Sequence, residues 1–233
     1  MINTIKYNQL GEMKIDWLHA RHHFSFANYH NPKRMGFGVI RVINDDIVKA
    51  GYGFDTHPHN DMEIITYVRK GAITHKDSNG NKGVTQSGHM QVMSAGTGVY
   101  HSEHNKGNID TKLYQIWIEP HTLGLKPSWD AMEFSKTIHT NTLPLLVSGM
   151  PQHADTDCLK INQYATIHGG RLAKDSRMSH AISGQAYLLV SEGEVEVNSI
   201  KLSAGDGCEI TDEASIELVA LTHNEVLIID VPD

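Results

Sequence analysis

The chain is written in short apolar or alternating runs cut by glycine and asparagine, with little helical periodicity. "FGVIRVIN", "MEIITYVRKG", "AITHKDS", "KGVTQSG", "MQVMSAG" and "KLYQIWIE" follow one another with turn residues between them. Runs of this kind form strands, and many in series form an antiparallel sandwich or barrel. In "SNGN", Asn79 and Gly80 are expected to supply the positive φ angles of a tight hairpin turn. The pattern lapses over residues 119–144, which hold three prolines and little alternation; a helical turn is expected in "SWDAMEF". Strands then return, from "PLLVSG" to "VLIIDVP".

The two halves echo each other. "ITYVRKGAITHKDSNGNKGVTQSGHMQVM" lines up with "AYLLVSEGEVEVNSIKLSAGDGCEI", and Gly71 and Gly88 fall opposite Gly193 and Gly205. The expected fold is therefore all-β, with two antiparallel β-barrels in one chain. An N-terminal barrel covers residues 1–120, a linker or crossover 121–143, and a C-terminal barrel 144–233.

Charge and composition narrow the function. A net charge of −7 with no cluster of Lys and Arg argues against a nucleic-acid partner. No apolar run reaches membrane-spanning length and the first residues lack a signal-peptide core, so a cytoplasmic protein is expected; a monomer is the expected state. Cys158 and Cys208 have no metal-binding spacing and read as reduced core thiols. The sixteen histidines stand out and direct attention to metal.

Two histidine-containing pairs carry that signal. "GFDTHPHNDMEII" sets His57 and His59 either side of Pro58, and "AGTGVYHSEHN" sets His101 and Glu103 at the same gap. Residues two apart share a face of a strand. If the two strands faced each other inside a barrel, three imidazoles and one carboxylate would meet. That mixed set suits Fe, Mn, Ni, Cu or Zn and is too rich in nitrogen for Mg or Ca. The C-terminal half has a lone His180 and nothing resembling the second pair, so one metal per chain is expected and the second barrel is left a packing role. Glu63 reads as a hydrogen-bonding partner near the site, His75 with Asp77 as an ordinary strand pair, and His104 as surface. His22 and His23 lie in a segment with room to reach the barrel mouth, but carry no spacing signal. Met62, Met93, Phe54 and Trp117 could line an apolar pocket or fill core, and core is the expectation for each.

The segment G51-x5-H57-x-H59-x3-E63-x7-G71 resembles the first cupin motif, and Gly88 to Asn105 resembles the second, with Ser94 in place of the usual proline. "FSFANYHNP", "GFGVIRVINDD", "KDSNGN" and "MSAGTGVYHSEHN" are similar to the pirin-like family of bicupins. The resemblance is strong over residues 10–120 and holds only in outline beyond. It implies two cupin barrels, with metal ligands on His57, His59, His101 and Glu103. It also implies one divalent ion, Fe(II) first, with Ni, Mn, Cu, Co or Zn as alternatives. Bacterial members are associated with quercetin 2,3-dioxygenase activity, in which a flavonol and O₂ give a ring-opened depside and carbon monoxide. Glu103 would then be a ligand, a catalytic base for the substrate hydroxyl, or both. The alternatives are a non-catalytic metal-dependent redox sensor or transcriptional co-regulator, like a nuclear relative, and another small-molecule cupin enzyme such as a sugar isomerase.

Overall fold

The computed structural model describes residues 1–134 and 137–232. Residues 135 and 136 of the expected linker and residue 233 of the expected second barrel lie outside the described residues. Among the described residues there are strands and two short 3₁₀ turns but no α-helix and no candidate membrane-spanning helix. The all-β expectation holds. Two compact units divide the chain. The N-terminal unit is Gly11–Phe134 with Leu159–Gln163, and the C-terminal unit is Tyr164–Asp233 with Met1–Leu10 and Ser135–Cys158.

Numbered along the chain, β1 (Ile2–Ile5) belongs to the C-terminal unit, where it pairs with a later strand. The N-terminal unit holds β2 (Gly11–Lys14), β3 (Leu18–His22), β4 (Ile40–Val48), β5 (Gly53–His59), β6 (Glu63–Lys70) and β7 (Ala72–Asp77). It continues with β8 (Lys82–Gln86), β9 (His89–Ser94), β10 (Val99–His104), β11 (Thr111–Ile118) and β12 (Ser128–Glu133). These make a long sheet in the order β12-β9-β6-β11-β4-β3-β2 and a short one in the order β5-β10-β7-β8. Next come β13 (Ile138–His139), β14 (Leu145–Ser148), β15 (Leu159–Lys160) and β16 (Thr166–Leu172). Then follow β17 (Arg177–Ala181), β18 (Gln185–Glu192), β19 (Glu194–Val197) and β20 (Ile200–Ser203). The last three are β21 (Gly207–Ile210), β22 (Ser215–Ala220) and β23 (Asn224–Val231). The C-terminal unit has a long sheet in the order β1-β21-β18-β23-β16-β14 and a short one, β17-β22-β19-β20.

Strand for strand the two orders correspond: β6-β7-β8-β9 with β18-β19-β20-β21, β4 and β11 with β16 and β23, and β5-β10 with β17-β22. The outer position held by β12 beside β9 is held in the second unit by β1 beside β21, so the N-terminal strand completes the C-terminal sheet. The echoed glycines explain why the alignment was readable. Gly71 and Gly193 have φ of 76° and 73°, and Gly88 and Gly205 both have 86°, a left-handed conformation that side chains resist.

Two local expectations are corrected. "SWDAMEF" forms strand β12, not a helical turn, because pairing with β9 from Ser128↔Ser94 to Glu133↔His89 satisfies its backbone. In the β7–β8 turn only Gly80, at φ 90°, takes a positive angle. The Asp77 carboxylate instead accepts from the backbone N–H groups of Asn79 and Asn81, at 2.9 and 3.0 Å, and builds a four-residue loop.

Both units are filled by inward-facing aliphatics, and in the C-terminal unit Leu188, Val195, Leu202, Ile216, Leu218 and Ile228 are fully buried in one cluster. Burying each such side chain contributes roughly 1.5–3 kcal/mol. Cys158 and Cys208 are buried and form no disulfide. His168 on β16 and His180 on β17 pack edge to face, 4.9 Å between ring centres. Burial first, then His180 and His153, pushes the His168 imidazole down to about 4.

Two outcomes follow for stability. A Cβ on Gly205 would lie 2.3 Å from the Tyr7 ring, whereas one on Gly80 meets nothing within 4 Å. Both positions carry the left-handed penalty of about 1–2 kcal/mol, so Gly205→Ala should lower the urea midpoint clearly more than Gly80→Ala; equal effects would refute the packing of Tyr7. Because the folded His168 pKa lies below the unfolded one, the unfolded chain takes up the proton first. That stability is fully present above the unfolded pKa of about 6.5 and is lost as pH falls through the folded value. Replacing His168 by Asn should therefore flatten the fall in urea midpoint on acidification, and an unchanged slope would count against it.

Candidate metal centre

β5 carries Pro58, which has no N–H to give a ladder, and β5 accordingly lies at the edge of the short sheet. Its strand partner there, β10, sets His101 opposite His57 and Val99 opposite His59. The two histidine-bearing strands are thus hydrogen-bonded neighbours and do not face each other across a barrel. A register shift between His101 and Glu103 puts Glu103 opposite Phe54 and, on the other side, opposite His75 of β7. Both side chains stay inward: His101 is 2% and Glu103 1% exposed. Gly53 permits the close approach, since a Cβ there would meet the Glu103 carbonyl oxygen at 2.3 Å.

The three imidazoles converge. Ring centres lie 4.5 Å apart for His57–His101 and 4.9 Å for both His57–His59 and His59–His101. The Nε2 atoms of His57 and His101 are 3.0 Å apart. The His57 Nδ1–H donates to the Asp55 carbonyl at 2.7 Å, which leaves Nε2 with its lone pair turned to the cluster. Burial, then the neighbouring imidazoles, pushes His101 down to about 2 and, with His57, His59 to about 4. His59 and His101 are therefore neutral donors at ordinary pH.

Glu103 is held from three sides. Thr66 Oγ1 and Gln91 Nε2 donate to Oε1 at 3.3 and 2.5 Å, and Gln115 Nε2 donates to Oε2 at 2.8 Å. The amides are themselves oriented: Thr85 Oγ1 donates to Gln91 at 2.6 Å and Trp117 Nε1 to Gln115 at 3.0 Å. Burial outweighs these donors and raises the Glu103 carboxyl to about 7. Oε1 has two donors and Oε2 one, so a lone pair of Oε2 remains available.

The structure brings the predicted residues together in two overlapping groups, His57, His59 and His101 in one and His75, His101 and Glu103 in the other, each with ligand atoms within 4.8 Å of one another. Glu103 joins the histidines through His101. The donor set fits a divalent transition ion. Bonds of about 2.1 Å at right angles separate adjacent donors by about 3.0 Å, which is the observed Nε2–Nε2 distance. The buried His101 Nδ1 and His75 Nδ1 have no hydrogen-bond partner.

Residues set aside in the sequence fall variously. Glu63 accepts from Ser94 Oγ at 2.6 Å and Asn162 Nδ2 at 3.1 Å and stays outside both groups. His104 is half-buried near Asp55. His75, read as an ordinary strand histidine, is fully buried; it bonds Asp77 at 3.1 Å and stacks on Trp129. A cavity of about 220 Å³ opens beside His57, lined among others by His22, Phe26, Asn44, Asp46, Phe54 and Trp117. His22, which the spacing does not single out, and Asp46, which carries no sequence signal, both reach this cavity. The alternation of Leu18, Ala20 and His22, all buried, was the available signal for His22.

Paired cupin-type sandwiches, one of them with a His/Glu cluster able to hold a metal, define a bicupin. The chain belongs to the pirin family: residues 4–118 match Pirin, and residues 145–231 match the quercetinase C-terminal cupin domain. It is 42% identical to a quercetin 2,3-dioxygenase of Escherichia coli, over 100% of this chain and 99% of that one. It is 44% identical to a pirin-like protein of Caulobacter vibrioides, over 99% of both. The crystal structure of bacterial pirin YhhW from Escherichia coli in complex with nickel(II) superposes with a TM-score of 0.92 at 41% identity, covering 100% of this chain and 99% of that one.

The amide network generates a test. Gln115→Leu should remove a donor from Glu103 and strip the Trp117 indole N–H of its acceptor. Leaving buried polar groups unpaired costs about 1–3 kcal/mol, so urea unfolding of the metal-free protein should show a loss of that order. No loss would mean the network does not hold Glu103.

Proposed function

We propose that the protein is a metal-dependent dioxygenase that cleaves a flavonol such as quercetin with O₂. The observation that carries this reading is the aromatic-lined cavity opening directly beside His57. The Escherichia coli relative named quercetin 2,3-dioxygenase supports it. His57, His59 and His101 would hold the ion through imidazole nitrogens and Glu103 through Oε2. A bound divalent transition ion supplies Lewis acidity that favours the deprotonated flavonol, and a centre at which O₂ can react.

The chain's own groups orient and select. Phe26 packs edge-on to Trp117 at 5.4 Å, and Phe54 lines the same cavity, so flat apolar walls receive an aromatic ring. His22 Nε2 and Asp46 Oδ1, both buried without a partner, offer polar atoms for ring hydroxyls. Glu103 does not line the cavity; Gln115 does, so Glu103 acts mainly as a ligand. Fe(II) is the ion proposed, with nickel the first alternative because the Escherichia coli pirin crystal contains it.

One ion per chain is expected by elemental analysis, and His57→Ala/His101→Ala should abolish it. Two ions, or undiminished metal in the double variant, would refute the assignment. Glu103→Gln would press an amide against the Gln91 and Gln115 donors. Even partners behind a ligand change metal affinity about 10–100-fold, so this variant should lose at least that, and quercetin-dependent oxygen uptake with it. If it keeps metal and full uptake, Glu103 is no part of the chemistry. If the parent shows no uptake with Fe(II), Ni, Mn, Cu, Co or Zn, the flavonol reading falls, and non-catalytic, metal-dependent binding of a partner takes its place.

A further inference from the structure

The C-terminal unit contains a larger cavity, about 440 Å³, and every residue lining it belongs to that unit. Its walls include β16, β17 and β23, the counterparts of β4, β5 and β11 that line the cavity beside His57. Register makes the correspondence residue by residue. His180 faces Ile216 as His57 faces His101, and His168 faces Ile228 as Asn44 faces Gln115. The second unit has thus kept a cavity at the equivalent place while the positions of His101 and Glu103 carry Ile216 and Leu218. Among the described residues, three or more metal-donor groups converge only in the N-terminal unit.

The lining is chemically specific. Leu143, Met150 and Val231 give it apolar walls; no Lys or Arg lines it, and its one acidic lining group, Asp230, accepts from the Ser183 N–H at 3.0 Å, so a phosphate or carboxylate would find no offsetting charge there and a negative one instead. His168 and His180 supply imidazoles whose pKa values burial pushes down, so both are uncharged at neutral pH. Uncharged imidazoles exchange hydrogen bonds with hydroxyl groups. The buried His180 Nε2 has no partner within the protein. We propose that this cavity is a second binding site, for an uncharged hydroxylated aromatic molecule whose hydroxyls bond to His168 and His180 while its ring lies on the apolar wall. The size falls in the range of small-molecule pockets, roughly 300–1,000 Å³. The site needs neither an ion nor turnover, so it stands apart from the reaction proposed above.

The test uses the full chain carrying His57→Ala and His101→Ala, treated with chelator, so that the N-terminal centre holds no metal. Catechol and phloroglucinol are titrated to millimolar concentration while the side-chain imidazole NMR signals of His168 and His180 are followed, with calorimetry for stoichiometry. Benzoate and zinc(II) are titrated separately. Both phenols should shift the two imidazoles at one site per chain, and adding His180→Leu should weaken binding by at least about tenfold. The imidazole signals of the chain with His180 intact remain decisive if that variant does not fold. Absence of any shift with the phenols overturns the proposal. So does benzoate binding as tightly as catechol, or zinc shifting these imidazoles where the phenols do not.

Discussion

The site depends on one strand pairing. β10 lies against β5 in the register that sets His101 opposite His57, and with side chains alternating, a slip of one residue would turn every inward group of either strand outward. In the observed register His57 and His101 meet through Nε2 at 3.0 Å. His59, two residues along, falls within reach of both. The ladder is also what permits Pro58, because an edge strand tolerates a missing N–H. The irregularity between His101 and Glu103 changes which residue of β5 faces Glu103 without turning its side chain to solvent. A short sequence pattern thus becomes a cluster only through hydrogen bonds between two backbones far apart in the chain.

A buried carboxylate beside uncharged imidazoles is costly, and the N-terminal unit meets that cost with neutral donors rather than a cation. Gln91 and Gln115 each turn an amide NH₂ to Glu103 because Thr85 and Trp117 occupy their carbonyl oxygens. An arginine there would hold the carboxylate as an ion pair and compete with a metal for it. Amides leave the negative charge uncompensated, and Oε2 keeps a lone pair. Trp117 has two duties at once: its indole N–H fixes Gln115, and its ring packs perpendicular to His59 at 4.8 Å. Its sequence reading as simple core undervalued it.

What was legible in the sequence was what the backbone dictates locally. The paired glycines marked matching left-handed turns, the alternating runs marked strands, and the one-residue gaps placed His57 with His59 and His101 with Glu103. Contacts across the sheet were not legible. His75 reaches the cluster because β7 pairs with β10 so that His75 faces Glu103, and His22 reaches the cavity through the ladder of β3 on β4. Neither strand order nor register is written in the spacing of those residues. The same gap hides a partner of His180: alone in its motif, it packs on His168 from a strand earlier in the chain.

Comparison of the two units shows which polar groups serve the fold and which do not. Following the registers from the matched glycines, Thr66, Thr85, Gln91 and Gln115 correspond to Leu188, Leu202, Cys208 and Ile228. Glu103 corresponds to Leu218, and His101 to Ile216. All six replacements are fully buried. The cupin frame therefore closes well around an apolar interior, and nothing in its strand order requires the buried carboxylate or its donors. In the N-terminal unit those groups sit where aliphatic packing would have served stability. They gather around Glu103 instead, and the whole network, from Thr85 to Trp117, accompanies the placing of one carboxylate inside.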